Sequence, residues 1–191
     1  GMTVSRRATI AAASLAGLLI GVGCARPSPS VREIDHRISY YQDRVRSEPR
    51  LYPAYALLGA AYLDKARCAH DPVWLARSRE VLARSMEIQP NFDAMKTTAA
   101  VCNFSHRFED ALRWIDRAAG AMPEDPSLVA MRVEALLALG RVLEAQSVVA
   151  ASGLADDFHV EAARGQVALA MDRRDHARAA FLASAEAAQA Q

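Results

Sequence analysis

Ala111-Leu112-Arg113-Trp114-Ile115-Asp116-Arg117-Ala118, followed by Pro123, places a large apolar residue four positions after one alanine and three before another, and then stops. On a helix these three side chains share one face. The pattern recurs as Ser78, Leu82, Ser85 and Pro90, as Ala145, Val149 and Ser152 with Asp157 where the proline would stand, and as Ala177, Phe181 and Ser184. The leading small residues are separated by 33, 34 and 32 positions. A period of this length marks a repeat array in which each unit buries its apolar face only against its neighbours.

A second helical segment lies upstream of each of these. In the first, Tyr55, Leu58, Gly59 and Tyr62 fall on one face, with Gly59 allowing a partner helix to approach closely. Later copies are Met95, Thr98, Ala99 and Cys102, then Val129, Arg132, Val133 and Leu136, then Glu161, Arg164, Gly165 and Ala168. With the small-large-small pattern behind them, these residues resemble the tetratricopeptide repeat, a helix-turn-helix unit of about 34 residues. The resemblance implies an all-α, right-handed α-solenoid, with repeats at about 52–91, 92–125, 126–157 and 158–191. Composition agrees: 52% of residues are hydrophobic but only 6% aromatic, and much of the apolar content is alanine, which favours closely packed helices over a sheet.

Two departures stand out. In the first repeat, Cys68-Ala69-His70-Asp71-Pro72 lengthens the interhelical turn by about seven residues, and a longer loop usable as a contact element is expected there. Asp71-Pro72 reads as a capped helix start. Upstream of the repeats, residues 31–48 form one more amphipathic helix, with Ile34, Ile38, Tyr41 and Val45 facing one way and Pro49 as the stop. Its expected task is to cover the apolar end of the array, so that the domain runs from 31 to 191.

The first segment reads as an address. Arg6 and Arg7 precede sixteen uncharged residues, Ala8 to Gly23, which is short for a membrane span of about 20 residues. Residues 1–23 are expected to be a signal peptide. Ser5-Arg6-Arg7-Ala8-Thr9-Ile10 resembles the twin-arginine export motif. Gly21-Val22-Gly23-Cys24 resembles the lipobox of bacterial lipoproteins, which implies acylation of Cys24. Residues 24–30, with Arg26-Pro27-Ser28-Pro29-Ser30, then form a Pro/Ser tether. The resulting expectation is an exported, periplasmic protein held at the membrane by lipid. Without residues 1–23 the chain has 21 basic and 22 acidic residues, formally −1, so charge attaches it neither to membranes nor to nucleic acid.

Reactive constellations are sparse. There is no Gly-rich phosphate loop, no Gly-x-Ser-x-Gly, no His-Glu-x-x-His and no Cys-x-x-Cys, so neither catalysis nor a cofactor is expected. Cys68 with His70 and Cys102 with His106 leave three readings open: a Cys68–Cys102 disulfide between neighbouring layers of an exported protein, two unpaired thiols, or a zinc site. Trp74 and Trp114 read as core or convex-surface anchors, and Glu109-Asp110 as an acidic helix start.

The tetratricopeptide resemblance further implies a concave groove lined by the first helices, open to a protein or peptide partner. Mapped onto this chain, its inward positions are Asp93, Lys96, Ala100, Asn103, Ala130, Glu134, Leu137, His159, Ala162 and Gln166. Of the family's Lys/Asn/Arg clamp for a terminal carboxylate only Lys96 is matched, so that specificity is not expected here. The leading expectation is a lipid-anchored envelope scaffold acting in assembly or secretion. The alternatives are a metal- or redox-handling protein using Cys68, Cys102, His70 and His106, and a non-catalytic accessory subunit of a larger enzyme.

Overall fold

The computed structural model describes residues 29–123, 125–154 and 157–189. Among them it contains nine helices and no strand: α1 (Val31–Ser47), α2 (Tyr52–Ala69), α3 (Pro72–Ile88), α4 (Phe92–Phe104), α5 (Phe108–Ala121), α6 (Pro126–Ala138), α7 (Val142–Ala151), α8 (Phe158–Ala170) and α9 (Arg174–Gln189). The export and acylation motifs, Cys24 included, lie outside the described residues. Ser30, read above as the end of the tether, is the N-cap of α1: its hydroxyl accepts from the Glu33 N–H while the Glu33 carboxylate accepts from the Ser30 N–H.

From α2 onward the helices pair as α2 with α3, α4 with α5, α6 with α7 and α8 with α9. The first helices α2, α4, α6 and α8 also stack on one another, whereas among the described residues the backbones of α3, α5, α7 and α9 stay apart from each other. Stacked helices of one kind with separated helices of the other curve the array, with the first helices on the inner wall. α1 packs on α2, where Ile34 and Ile38 join Leu58, Ala61 and Tyr62 in a buried cluster.

The small residues of the repeat are small because something occupies the space beside them. A Cβ on Gly59 would stand 2.6 Å from Leu82, and one on Gly165 would stand 2.5 Å from the Phe181 ring. The second small position also carries a polar staple: Ser85 donates to the Tyr52 carbonyl at 2.8 Å and Ser184 to the Phe158 carbonyl at 2.8 Å. Each tethers a second helix to the first turn of its partner.

The turns within three of the pairs are copies of one another. His106, Gly140 and Asp172 have φ of 57°, 74° and 56°. Their N–H groups bond the carbonyls of Asn103, Leu137 and Leu169, and the next residues, Arg107, Arg141 and Arg173, reach back to Cys102, Leu136 and Ala168 at 2.8 Å. This is the Schellman termination, which satisfies carbonyls at the helix end and needs a left-handed residue. His106 therefore does the backbone job that Gly140 does without strain. We expect His106→Gly to raise, and Gly140→Ala to lower, the unfolding free energy by about 1 kcal/mol each, read from urea midpoints at constant slope.

The first pair differs, and the expected long loop is absent. Gly59, Ala99, Val133 and Gly165 share one register, and seven residues on stand Ala66, His106, Gly140 and Asp172. At Ala66 the helix does not turn. α2 continues to Ala69 and closes at left-handed His70, whose N–H bonds the Ala66 carbonyl at 3.2 Å. Asp71 then caps α3 through the Val73 N–H at 2.9 Å, with Pro72 opening it. The extra residues thus lengthen both helices, because Asp71-Pro72 starts one helix within two residues of the other's end.

Candidate functional site

The inner wall encloses a cavity of about 430 Å³ formed by α4, α6 and α8, with Arg67 of α2 at its rim. Three of its lining residues, Ala100, Ala130 and Ala162, occupy inward register positions on successive first helices. Their methyl groups leave depth between the helices. Of the polar residues expected in the groove, Asn103, Glu134, His159 and Gln166 are brought together there.

Asn103 is the buried member, 4% exposed. Its Nδ2 donates to the Met131 carbonyl at 3.0 Å and to Glu134 Oε2 at 3.2 Å, joining α4 to α6. Glu134 is accessible to water but lies between the groove walls. Burial pushes its carboxyl above the ordinary range, against the lowering influence of the Asn103 bond and of the Arg67 and His106 charges. Arg67 itself donates to Asp64 at 3.2 Å and lies 6.0 Å over the Phe104 ring. The His159 ring lies 3.8 Å from that of Phe158.

Lys96 and Asp93 are not part of this cavity. The Lys96 ammonium pairs with Asp125 at 3.3 Å and sits 4.9 Å over the Phe92 ring. Asp125 is in turn the N-cap of α6. Burial raises its carboxyl, but hydrogen bonds from Ser127 and the bond and charge of Lys96 outweigh that and hold it below the usual range. Lys96 therefore ties α4 to the start of α6. Asp93 is exposed in the first turn of α4, where its charge complements the helix N-terminus. Leu137 turns into the core beside α5 and α7 rather than into the groove.

Arg67, Phe104, Ser127, Met131 and Phe158 line the cavity without having been nominated by register. Arg67 was invisible because it aligns with Arg107, Arg141 and Arg173, the residues just past the turn in the other repeats. It reaches the groove only because α2 continues as helix through that position. The seven-residue insertion was the signal.

Cys68 and Cys102 are free thiols, the first exposed and the second buried. Burial is the main reason the Cys102 thiol is raised above its ordinary pKa, which keeps it protonated and unreactive. His70 and His106 are turn residues, and among the described residues no group of three or more His, Cys, Asp or Glu side chains is placed to hold a metal ion. No described helix is long and apolar enough to cross a membrane.

Stacked first helices, repeated left-handed turns and a small-residue register define an α-solenoid of tetratricopeptide type. No family model and no curated protein matches the chain. Solved structures do match: a MamA chain (41 to the end) from Desulfovibrio magneticus RS-1 has a TM-score of 0.62 at 15% identity, covering 83% of this chain and 88% of that one. A further crystal structure of MamA gives 0.62 at 14% identity, with 83% and 91% covered. YrrB, described as a TPR protein with an unusual peptide-binding site, gives 0.56 at 16%, covering 82% and 79%. The likeness is one of fold.

Proposed function

We propose that this protein is a non-catalytic interaction scaffold whose inner groove holds a segment of a partner protein, at a cell envelope to which lipid on Cys24 attaches it. The observation that carries the reading is the cavity of about 430 Å³, whose alanine floor and buried Asn103 come from consecutive repeats. Its size is within the range of pockets that enclose a ligand, about 300–1,000 Å³. The peptide-binding site in the description of YrrB supports the same use of the fold. The lipobox-like Gly21-Val22-Gly23-Cys24 supports the location, and assembly or secretion is the process in which such a tethered scaffold acts.

A photo-crosslinking amino acid placed at Gln166, in the groove, is expected to capture the partner in envelope membranes. The same group at Leu143, 72% exposed on α7 and outside the cavity, is expected not to. Ala130→Trp, which fills the groove, should abolish the Gln166 adduct. Equal capture from both positions, or an adduct indifferent to Ala130→Trp, would remove the groove. The anchor has its own readout: radioactive palmitate should label the wild type and not Cys24→Ala.

A further inference from the structure

Two of the groups lining the groove, the buried Asn103 and the neighbouring Glu134, offer acceptors to an incoming chain. Asn103 cannot turn its amide over, because Nδ2 already serves the Met131 carbonyl and Glu134, and a flip would set oxygen against both. Its Oδ1 is left without a hydrogen-bond partner, and among the described residues no other buried side-chain oxygen or nitrogen is in that position. Beside it stands Glu134, which accepts its hydrogen bond from that neutral amide and forms no ion pair among the described residues. Arg67 is committed to Asp64, and Ser127 donates to Asp125. Buried acceptors are satisfied in most proteins, so an unmet one just beneath the surface of a residue that lines a cavity points to what enters the cavity.

Another cavity offers a contrast. It lies on α5, α6 and α7 outside the inner groove, and its charges answer one another: Arg132 pairs with Asp116 at 2.6 Å and Arg141 with Glu144 at 2.7 Å. Nothing there asks for an incoming charge.

Resting on the reading of the inner groove as a peptide site, we infer that it recognises an arginine side chain of the partner, whose guanidinium pairs with Glu134 and, with a small shift of the amide, donates to Asn103 Oδ1. A planar fork can donate to two acceptors at once, which a point-like ammonium does less well. The alanines give room for the long stem, and Phe104 and Phe158 supply aromatic faces for the cation.

The test uses the full chain and four pools of acetylated, amidated, fluorescein-labelled nonapeptides, degenerate except for a central Arg, Lys, Gln or Glu, followed by fluorescence polarisation. The Arg pool is expected to bind about tenfold tighter than the Gln pool and clearly tighter than the Lys pool. Glu134→Gln, which keeps an acceptor for Asn103, should erase that preference, and Glu134→Lys should transfer it to the Glu pool. Ala130→Trp should weaken all pools alike. Arg binding no tighter than Gln or Lys, yet still lost with Ala130→Trp, overturns the arginine assignment and leaves the groove standing. If no pool binds, or if binding survives Ala130→Trp, the groove itself is wrong and the inference falls with it.

Discussion

Ile115→Ala is expected to lower the unfolding free energy by about 3–4 kcal/mol, near the upper part of the range for large-to-small core changes. Ile115 is 0% exposed on α5, in a cluster with Ala99 of α4, Ala118 of its own helix and Leu128 of α6. It thus holds both its own pair and the next. Three of the neighbours that would have to close over the missing atoms are fixed by the stack, and two of them are alanines with nothing to extend, so the cavity stays open. In an array each unit is stabilised only through its neighbours, and a break in the middle isolates two halves too small to hold alone. Urea unfolding should therefore show a lower midpoint for the whole array, followed by the fluorescence of Trp74 on α3 and of Trp114, which packs against the Ile115 cluster. Val149→Ala, at the corresponding position of the third pair, removes one carbon fewer and should cost only about 2 kcal/mol. A loss for Ile115→Ala as small as that would mean that α4 and α6 close the gap and that the register is softer than the packing indicates.

What the sequence made legible was periodic, and what it hid was not. Leu82, Ile115 and Val149 were readable as core because each needs small partners at fixed offsets, and a side chain at Gly59 would collide with Leu82 whatever the rest of the chain does. The inner-wall positions Ala100, Asn103, Glu134 and Gln166 came from the tetratricopeptide resemblance, whose inward positions that register placed on this chain. Lys96 followed it too, but a register says which way a residue points and not what it meets, and Asp125 lies within its reach. The His70 and His106 pair looked chemical in sequence because nothing there reveals backbone dihedral angles. Only alignment of His106 with Gly140 shows a left-handed turn position, where His is tolerated better than most residues. The insertion was visible as seven extra residues, but whether it becomes loop or helix depends on where α3 begins, and Asp71-Pro72 decided that in favour of helix.

Asn103→Asp is expected to destabilise the fold by about 3–5 kcal/mol at pH 7, the scale for an uncompensated buried charge. The wild-type amide offers a donor to both the Met131 carbonyl and Glu134. The substitution turns that donor into a third acceptor and adds a negative charge in a site that is 4% exposed, against a carboxylate already pushed up by burial. Both carboxyls would then titrate higher in the folded state than in the unfolded one, near 4. The sign follows: the native state binds more protons than the unfolded state between those values, so stability falls as pH rises through the folded-state range. Below about pH 4 one acid is protonated and donates to the other, and most of the penalty disappears. Asn103→Ala is the control, since it removes the two bonds without adding a charge and should cost about 1–3 kcal/mol. Its deficit should change little between pH 4 and pH 8, whereas the Asn103→Asp deficit should grow several-fold. Parallel profiles for the two variants would mean that the floor of the groove is far wetter than its burial indicates, and that Glu134 would then carry too little force to select a cation.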